Sequence, residues 1–169
     1  MKQLLQDVSS GELTVDDVPA PVRAPAALLV ATRCSLISAG TERAVMAMGS
    51  KSLVAKARAR PDLARKVIDS AREEGVRTAV AKVRGRLGEP NPLGYSSCGI
   101  VLEAPTDSPA GPGELVACAG AGYAGHAEIV SVPRNLCARV PAGVEPEQAA
   151  YSTVAAIARS RSARRRRSR

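Results

Sequence analysis

Residues Gly94–Pro133, GYSSCGIVLEAPTDSPAGPGELVACAGAGYAGHAEIVSVP, decide the fold. Cys98–Ala104, Glu114–Ala119 and His126–Val132 are short apolar runs rich in Val and Ile, and Leu136–Val140 follows just beyond. Turns rich in Gly and Pro separate them. Several short strands at such spacing predict a barrel or a sandwich.

Toward the N-terminus the same texture continues. Met1–Val8 and Glu12–Val18 flank a turn at Ser9-Ser10-Gly11, the signature of a hairpin. Pro19, Pro21 and Pro25 break the chain before Ala27–Ile37, ALLVATRCSLI, where the alternation of Leu29, Ala31 and Arg33 predicts another strand. Residues 50–88 differ. From Ser50 to Leu87 the chain is rich in the helix formers Ala, Arg, Lys and Leu. Pro61 suits a helix start and Gly75 a helix stop. Leu63, Val67 and Ala71 recur at i, i+4, so Pro61–Glu74 is expected as an amphipathic helix with Arg65, Lys66, Arg72 and Glu73 in water. A solvated face accounts for that charge better than a basic binding patch. Pro146–Ala158, PEQAAYSTVAAIA, predicts one helix, mostly of small residues and buried between two elements.

The totals set bounds. A chain of 169 residues holds one well-packed domain. With no Phe or Trp and three Tyr, Val, Leu, Ile and Ala must fill its core. The net charge of +8 suggests nucleic acid until it is located. Seven arginines lie in the tail, at Arg159, Arg161, Arg164–Arg167 and Arg169; without them seventeen basic residues face sixteen acidic ones. The body is nearly neutral.

Cys34, Cys98, Cys118 and Cys137 show no C-x-x-C spacing, and each sits among apolar or small residues. They read as small buried hydrophobes rather than as a disulfide framework or a zinc site. MKQLLQDVSS has no apolar signal segment, and no run approaches the roughly 20 apolar residues of a membrane span. A cytoplasmic protein is expected.

Gly120, Gly122 and Gly125 in GAGYAG match the dinucleotide-binding pattern G-x-G-x-x-G. That pattern works when glycines let a pyrophosphate reach the start of a helix. Here HAEIVSVP follows, β-branched and stopped by Pro133, and no acidic residue stands about 20 positions on in a setting that would hold a ribose. The glycines are expected in a loop between strands, with no cofactor on them.

Taken in order, ALLVATRCSLISAGTE, LGYSSCGIV, GELVACAGAGYAGHAEIVSVP and VPAGVEPEQAAYSTVAAIA resemble the N-terminal GroES-like domain of medium-chain alcohol dehydrogenases. The likeness extends from Met1 to Ala158. It is nearest to a bacterial subgroup, zinc-binding or threonine-dehydrogenase-like, with a helical insertion after its G-T-E segment; some members are fused to a second oxidoreductase domain. The resemblance implies a mainly β, partly open GroES-like barrel over residues 1–145 with the insertion at 50–88. Residues 146–158 would begin the helix leading to a cofactor domain, and 159–169 would form a disordered tail.

It also implies a small-molecule alcohol or carbonyl substrate and NAD or NADP as cofactor. In the family a zinc held by Cys, His and often Glu polarises the substrate oxygen. The ligand Cys falls at Ser38, and the His-Glu pair at Tyr95-Ser96. Hydroxyls are poor zinc ligands beside thiolate and imidazole, so no metal is expected. The four-cysteine structural zinc lobe is missing as well. Hydrogen bonds would then polarise the oxygen, with Ser38, Thr41 and Tyr95 as the catalytic candidates and Tyr95 as proton donor. The competing reading has Tyr95 packed with its hydroxyl satisfied, and Ser38 and Thr41 capping the next helix. His126, without a ligand partner at metal spacing, reads as structural.

The family's nicotinamide-binding Rossmann domain does not appear in this sequence. RSRSARRRRSR follows Ala158 instead, in residue types that a shifted frame in GC-rich DNA tends to encode. The expectation is an oxidoreductase substrate domain, truncated or frameshifted, that binds no cofactor and is inert alone. The alternative is a free-standing GroES-like barrel whose arginine tail binds nucleic acid or another polyanion. Against it, no aromatic residue is interleaved to stack bases, and the body is not basic.

Overall fold

In the computed structural model, which describes residues 1–7, 10–40, 42–43 and 90–167 and the single positions 58, 65, 69, 72, 75 and 78, strands form where apolar alternation calls for them. The chain divides into two compact units, one of residues 1–4, 15–38 and 92–169, the other of residues 5–14 and 39–91.

Strands β1 (Lys2–Gln6), β2 (Leu13–Asp17) and β4 (Asn91–Pro92) form a sheet in the order β2-β1-β4. In the first unit its ends are tied by Val18 N–H donating to Met1 O (2.9 Å) and Leu93 N–H donating to Leu4 O (3.3 Å). The second sheet lies in this unit. It comprises β3 (Ala27–Ser35), β5 (Ser96–Glu103), β6 (Leu115–Ala119), β7 (Ile129–Pro133) and β8 (Cys137–Arg139), in the order β7-β3-β5-β6-β8. Every pairing is antiparallel.

Register explains the core. Val30 stands opposite Val101 on one side and Val130 on the other, and Gly99 opposite Val116. Leu28, Val30, Val101, Val116, Cys118, Val130 and Val132 therefore share a face, and they pack with Ala110, Ala124 and Ala127 into the main apolar cluster. The β-branched residues do this without an aromatic ring, as the composition requires. A bulge between Thr32 and Cys34 shifts the alternation, so Ser35, not Cys34, continues the face of Val30 and Thr32.

On the other face of β5 and β6, Cys98 and Ala117 meet Ala149 and Ala150. Ala149 ends helix α1 (Pro146–Ala149), which has Pro at its first position. Helix α2 (Ser152–Arg167) follows. Two expectations need correction. The single helix expected over Pro146–Ala158 is broken at Ala150-Tyr151, because the Ala150 carbonyl accepts a hydrogen bond from the Ser96 hydroxyl (2.6 Å). Nor is it buried along its length: Tyr151, Val154 and Ile157 are 58%, 38% and 47% exposed. The residues expected as a disordered tail from Arg159 continue α2 as far as Arg167, in keeping with the helix propensity of Arg and Ala. No described helix is long and apolar enough to cross a membrane.

In the second unit, the Ser10 N–H donates to the Asp7 carboxylate (2.7 Å), and Gly11, at φ 81°, closes the expected hairpin turn. The insertion over 50–88 lies mostly outside the described residues. Of its described positions, Arg58, Arg65, Asp69, Arg72 and Thr78 are helical and exposed, and Gly75 has φ 90°.

Candidate active site

The β3–β5 ladder brings two of the predicted site residues to one end of the sheet. Its last pair is Ser35 with Ser97, and the Leu36 N–H donates to Ser96 O (2.9 Å). Ser38 lies just past the end of β3 and Tyr95 just before β5. Both are half-buried. Ser38 is engaged in an interaction of its own. The Tyr95 carbonyl accepts from the Gly120 N–H (2.9 Å), while its hydroxyl has no hydrogen-bond partner among the described residues. Thr41, the third candidate, lies outside the described residues.

The GAGYAG loop packs onto this end of the sheet. It joins β6 to β7, as expected, and stands at no helix start. Each glycine has a local reason. Gly120 and Gly122 turn the chain at φ 113° and 81°. A Cβ at Gly125 would stand 2.8 Å from the Leu93 carbonyl oxygen. The His126 N–H donates to that same oxygen (2.8 Å) and the imidazole lies against Gly94. The three glycines thus serve a turn and a close backbone approach between two strands.

His126 precedes β7 instead of lying on a strand, and its Nδ1 shares a hydrogen bond with Ser35 Oγ (2.8 Å). Behind that pair, on the same face of the sheet, Thr32 Oγ1 and Ser97 Oγ are buried without hydrogen-bond partners among the described residues. Ser35, Thr32, Ser97 and His126 make the apolar interior polar at the end where Tyr95 stands. Sequence reading did not find this cluster. Period-two spacing from Tyr95 to Ser97 hinted at a shared face, but only the bulge at Arg33 brings Ser35 onto it.

The donor set does not suit zinc. The Ser96 hydroxyl is committed to helix docking, donating to Ala150 O and sharing a 2.7 Å hydrogen bond with Thr153 Oγ1. Cys34 and Cys98, the thiols nearest this end, sit opposite each other on the face covered by α1. Burial, reinforced by Cys34 and the Glu147 carboxylate, pushes the Cys98 thiol up to about 11, and burial and Glu147 push Cys34 up as well. No group of three His, Cys, Asp or Glu side chains converges among the described residues.

A groove of about 280 Å³ opens beside the loop, lined by Met1, Gln3, Val18, Tyr123, Ile129 and Ser131 among others. Its side chains are apolar or neutral apart from the Tyr123 phenol, and the charged group among its lining residues is the Met1 ammonium, which donates to the Val18 carbonyl (2.8 Å).

No protein-family model matches the sequence, and no curated protein does. Solved structures do share the fold. The quinone oxidoreductase of Thermus thermophilus, also solved in complex with NADPH, is 17% identical with a TM-score of 0.54, over 89% of this chain and 36% of that one. An alcohol dehydrogenase superfamily protein from Novosphingobium aromaticivorans is 18% identical with a TM-score of 0.60, over 90% of this chain and 38% of that one. Galactitol-1-phosphate dehydrogenase from Escherichia coli is 15% identical with a TM-score of 0.58, over 89% and 41%. The fold is therefore that of a GroES-like domain as found in medium-chain alcohol dehydrogenases and quinone oxidoreductases. The chain spans little more than a third of the length of these three proteins.

Proposed function

We propose that this chain is the substrate-side domain of an NAD(P)-dependent, zinc-independent oxidoreductase acting on a small alcohol, aldehyde, ketone or quinone, in the cytoplasm. What supports the reading above all is that Ser38 follows β3 and Tyr95 precedes β5 at the same end of the β3–β5 ladder, in a fold that recurs in a quinone oxidoreductase solved with NADPH. Neither position offers a metal ligand. A hydroxyl at each offers a hydrogen bond to a substrate oxygen, with Thr41 as a third, and Tyr95 is the proton donor as alkoxide character develops. The cofactor, NAD or NADP, would be held by residues outside this barrel, and the 169 residues alone bind neither.

Two measurements test this. Titrating the chain with NADH and NADPH by calorimetry should give no saturable heat, and micromolar binding of either would overturn the cofactor assignment. Joined to a nicotinamide-binding domain, the chain should reduce a carbonyl or quinone without added zinc. Tyr95→Phe should then lower kcat by about 10²–10⁴ at little change in KM, the usual reach of a positioned proton donor. Full activity of Tyr95→Phe would remove Tyr95 from the chemistry, and activity that appears only with zinc would refute the metal-free reading.

A further inference from the structure

We propose that Cys118 and Cys137 are a thiol-oxidation site that a hydroperoxide converts into a reversible cross-strand disulfide. Nineteen positions apart in sequence, they are direct partners across β6 and β8, with the two sulfurs 4.0 Å apart. The ladder puts them in the position that suits a disulfide. The Val140 N–H donates to Leu115 O (3.0 Å), which makes 115/140 a hydrogen-bonded pair; alternation then makes 118/137 a non-hydrogen-bonded pair. Such pairs have Cα atoms about 4.5 Å apart and side chains turned toward each other, inside the roughly 4.4–6.8 Å range of disulfides. The sulfurs must approach by about 2 Å to reach bonding distance. β8 is a three-residue edge strand bonded to β6 alone, which leaves it room to move.

The two thiols differ in the way the chemistry needs. Cys118 is wholly buried, whereas Cys137, at the first position of the edge strand, is half-buried. The two thiols share a hydrogen bond that either can donate, and the Cys137 S–H also reaches the Val132 carbonyl (3.8 Å). With Cys118 as donor the Cys137 thiol is held below its ordinary range, while the same bond and burial push Cys118 up. Cys137 is thus the thiol that a hydroperoxide reaches first, attacking as its thiolate, and Cys118 is the resolving thiol. The Cys137 sulfur attacks one peroxide oxygen, the O–O bond breaks, and the departing alkoxide or hydroxide takes a proton. The product is a sulfenic acid on Cys137. The Cys118 sulfur then attacks the Cys137 sulfur, the S–OH bond breaks, and the leaving hydroxide takes the Cys118 proton as water. Two thiols lose two electrons together, and one hydroperoxide is reduced to an alcohol, or to water, plus water. The second step is intramolecular, so burial of Cys118 is no obstacle.

Cys34 and Cys98 make the internal comparison. They also face each other across strands, but the Leu36 N–H to Ser96 O bond places them at a hydrogen-bonded position, where side chains stand farther apart. Both thiols are raised, so neither supplies a thiolate.

The test is mass spectrometry of the full chain treated with one equivalent of hydrogen peroxide and then alkylated. Two of the four cysteines should escape alkylation, and dithiothreitol should restore all four. Trypsin separates Leu87–Arg134, which carries Cys98 and Cys118, from Asn135–Arg139, which carries Cys137. These peptides should be joined, with fragmentation placing the bond on Cys118. Cys98→Ser should keep the cross-link and Cys118→Ser should lose it. Four free thiols after treatment, a bond to Cys34 or Cys98, or linkage only between separate chains would each overturn the proposal. The wild-type result stands by itself if either variant fails to fold.

Discussion

Replacing Gly99 by alanine puts a methyl group where the barrel has no room for one. Gly99 stands in β5 opposite Thr32. A Cβ there runs into the Ala31 carbonyl oxygen, with the Ala31 carbonyl carbon and Val30 Cγ1 each 2.8 Å away. Gly99 is not among the glycines with positive φ, so crowding is the whole of the cost. Neither neighbour yields easily. Ala31 is paired with Ile100 on one side and Ile129 on the other, and Val30 is buried between Val101 and Val130. Forcing extra volume into a packed site costs about 1–3 kcal/mol. Collision with backbone inside a central strand places Gly99→Ala near the top of that range, about 3 kcal/mol. The loss of unfolded-chain entropy on replacing glycine offsets only about 0.4–1 kcal/mol of it.

Gly113→Ala is the matched control. Gly113 has φ 84° but nothing within 4 Å of its would-be Cβ, so it carries only left-handed strain, about 1–2 kcal/mol. Urea unfolding followed by circular dichroism measures both variants. With a slope of about 1–3 kcal/mol/M, Gly99→Ala should lower the midpoint by roughly 1 M or more. It should also lower it further than Gly113→Ala does. A Gly99→Ala loss below about 1 kcal/mol, or one smaller than that of Gly113→Ala, would refute the packing argument at the β3–β5 ladder.

Ser96→Ala should cost about 1–3 kcal/mol, since it strips a buried hydroxyl from the Ala150 carbonyl and from Thr153 and loosens the helices from β5. The same urea titration reads the loss, and amide exchange at Tyr151–Ala155 should rise with it; unchanged exchange there would mean that Ser96 does not dock the helices. Stability should also fall as pH rises. Cys98 has a folded pKa of about 11 against 9.0 for an unperturbed thiol, so its contribution is complete below pH 9 and is lost between about pH 9 and 11. The raised Cys34 and Cys118 act in the same direction, and the lowered Cys137 opposes them. Unfolding midpoints measured at pH 8 and pH 10 check this, and a higher midpoint at pH 10 would contradict it.

Much of the fold was legible because it is local. The strand runs of β3, β5, β6 and β7 showed in short apolar stretches between Gly and Pro, and the structure moves their ends by only a few residues. The GAGYAG loop was legible for the same reason: a β-branched run stopped by proline cannot be the helix a pyrophosphate needs. Where the reading went astray, a distant partner intervened. Nothing near Ala150 in sequence announces a helix break, because the hydroxyl that accompanies it comes from Ser96, 54 positions away. The exposed Tyr151, Val154 and Ile157 were likewise hidden within a run of small residues that looks buried.

The candidate site divides in the same way. The sequence by itself determined that hydroxyls, not metal ligands, occupy Ser38, Tyr95 and Ser96, and that Val, Leu, Ile and Ala must build the core, since residue identity fixes donor chemistry and side-chain volume. Only the tertiary structure decided which of those groups meet. It turned Ser35 toward His126 and left Thr32 and Ser97 unpartnered behind them among the described residues. It set Cys118 against Cys137 when each looked like an isolated small hydrophobe. The physical reason is register. Local alternation tells which residues of a strand share a face, but long-range pairing, and register shifts such as the bulge at Arg33, choose the face and the partner across it.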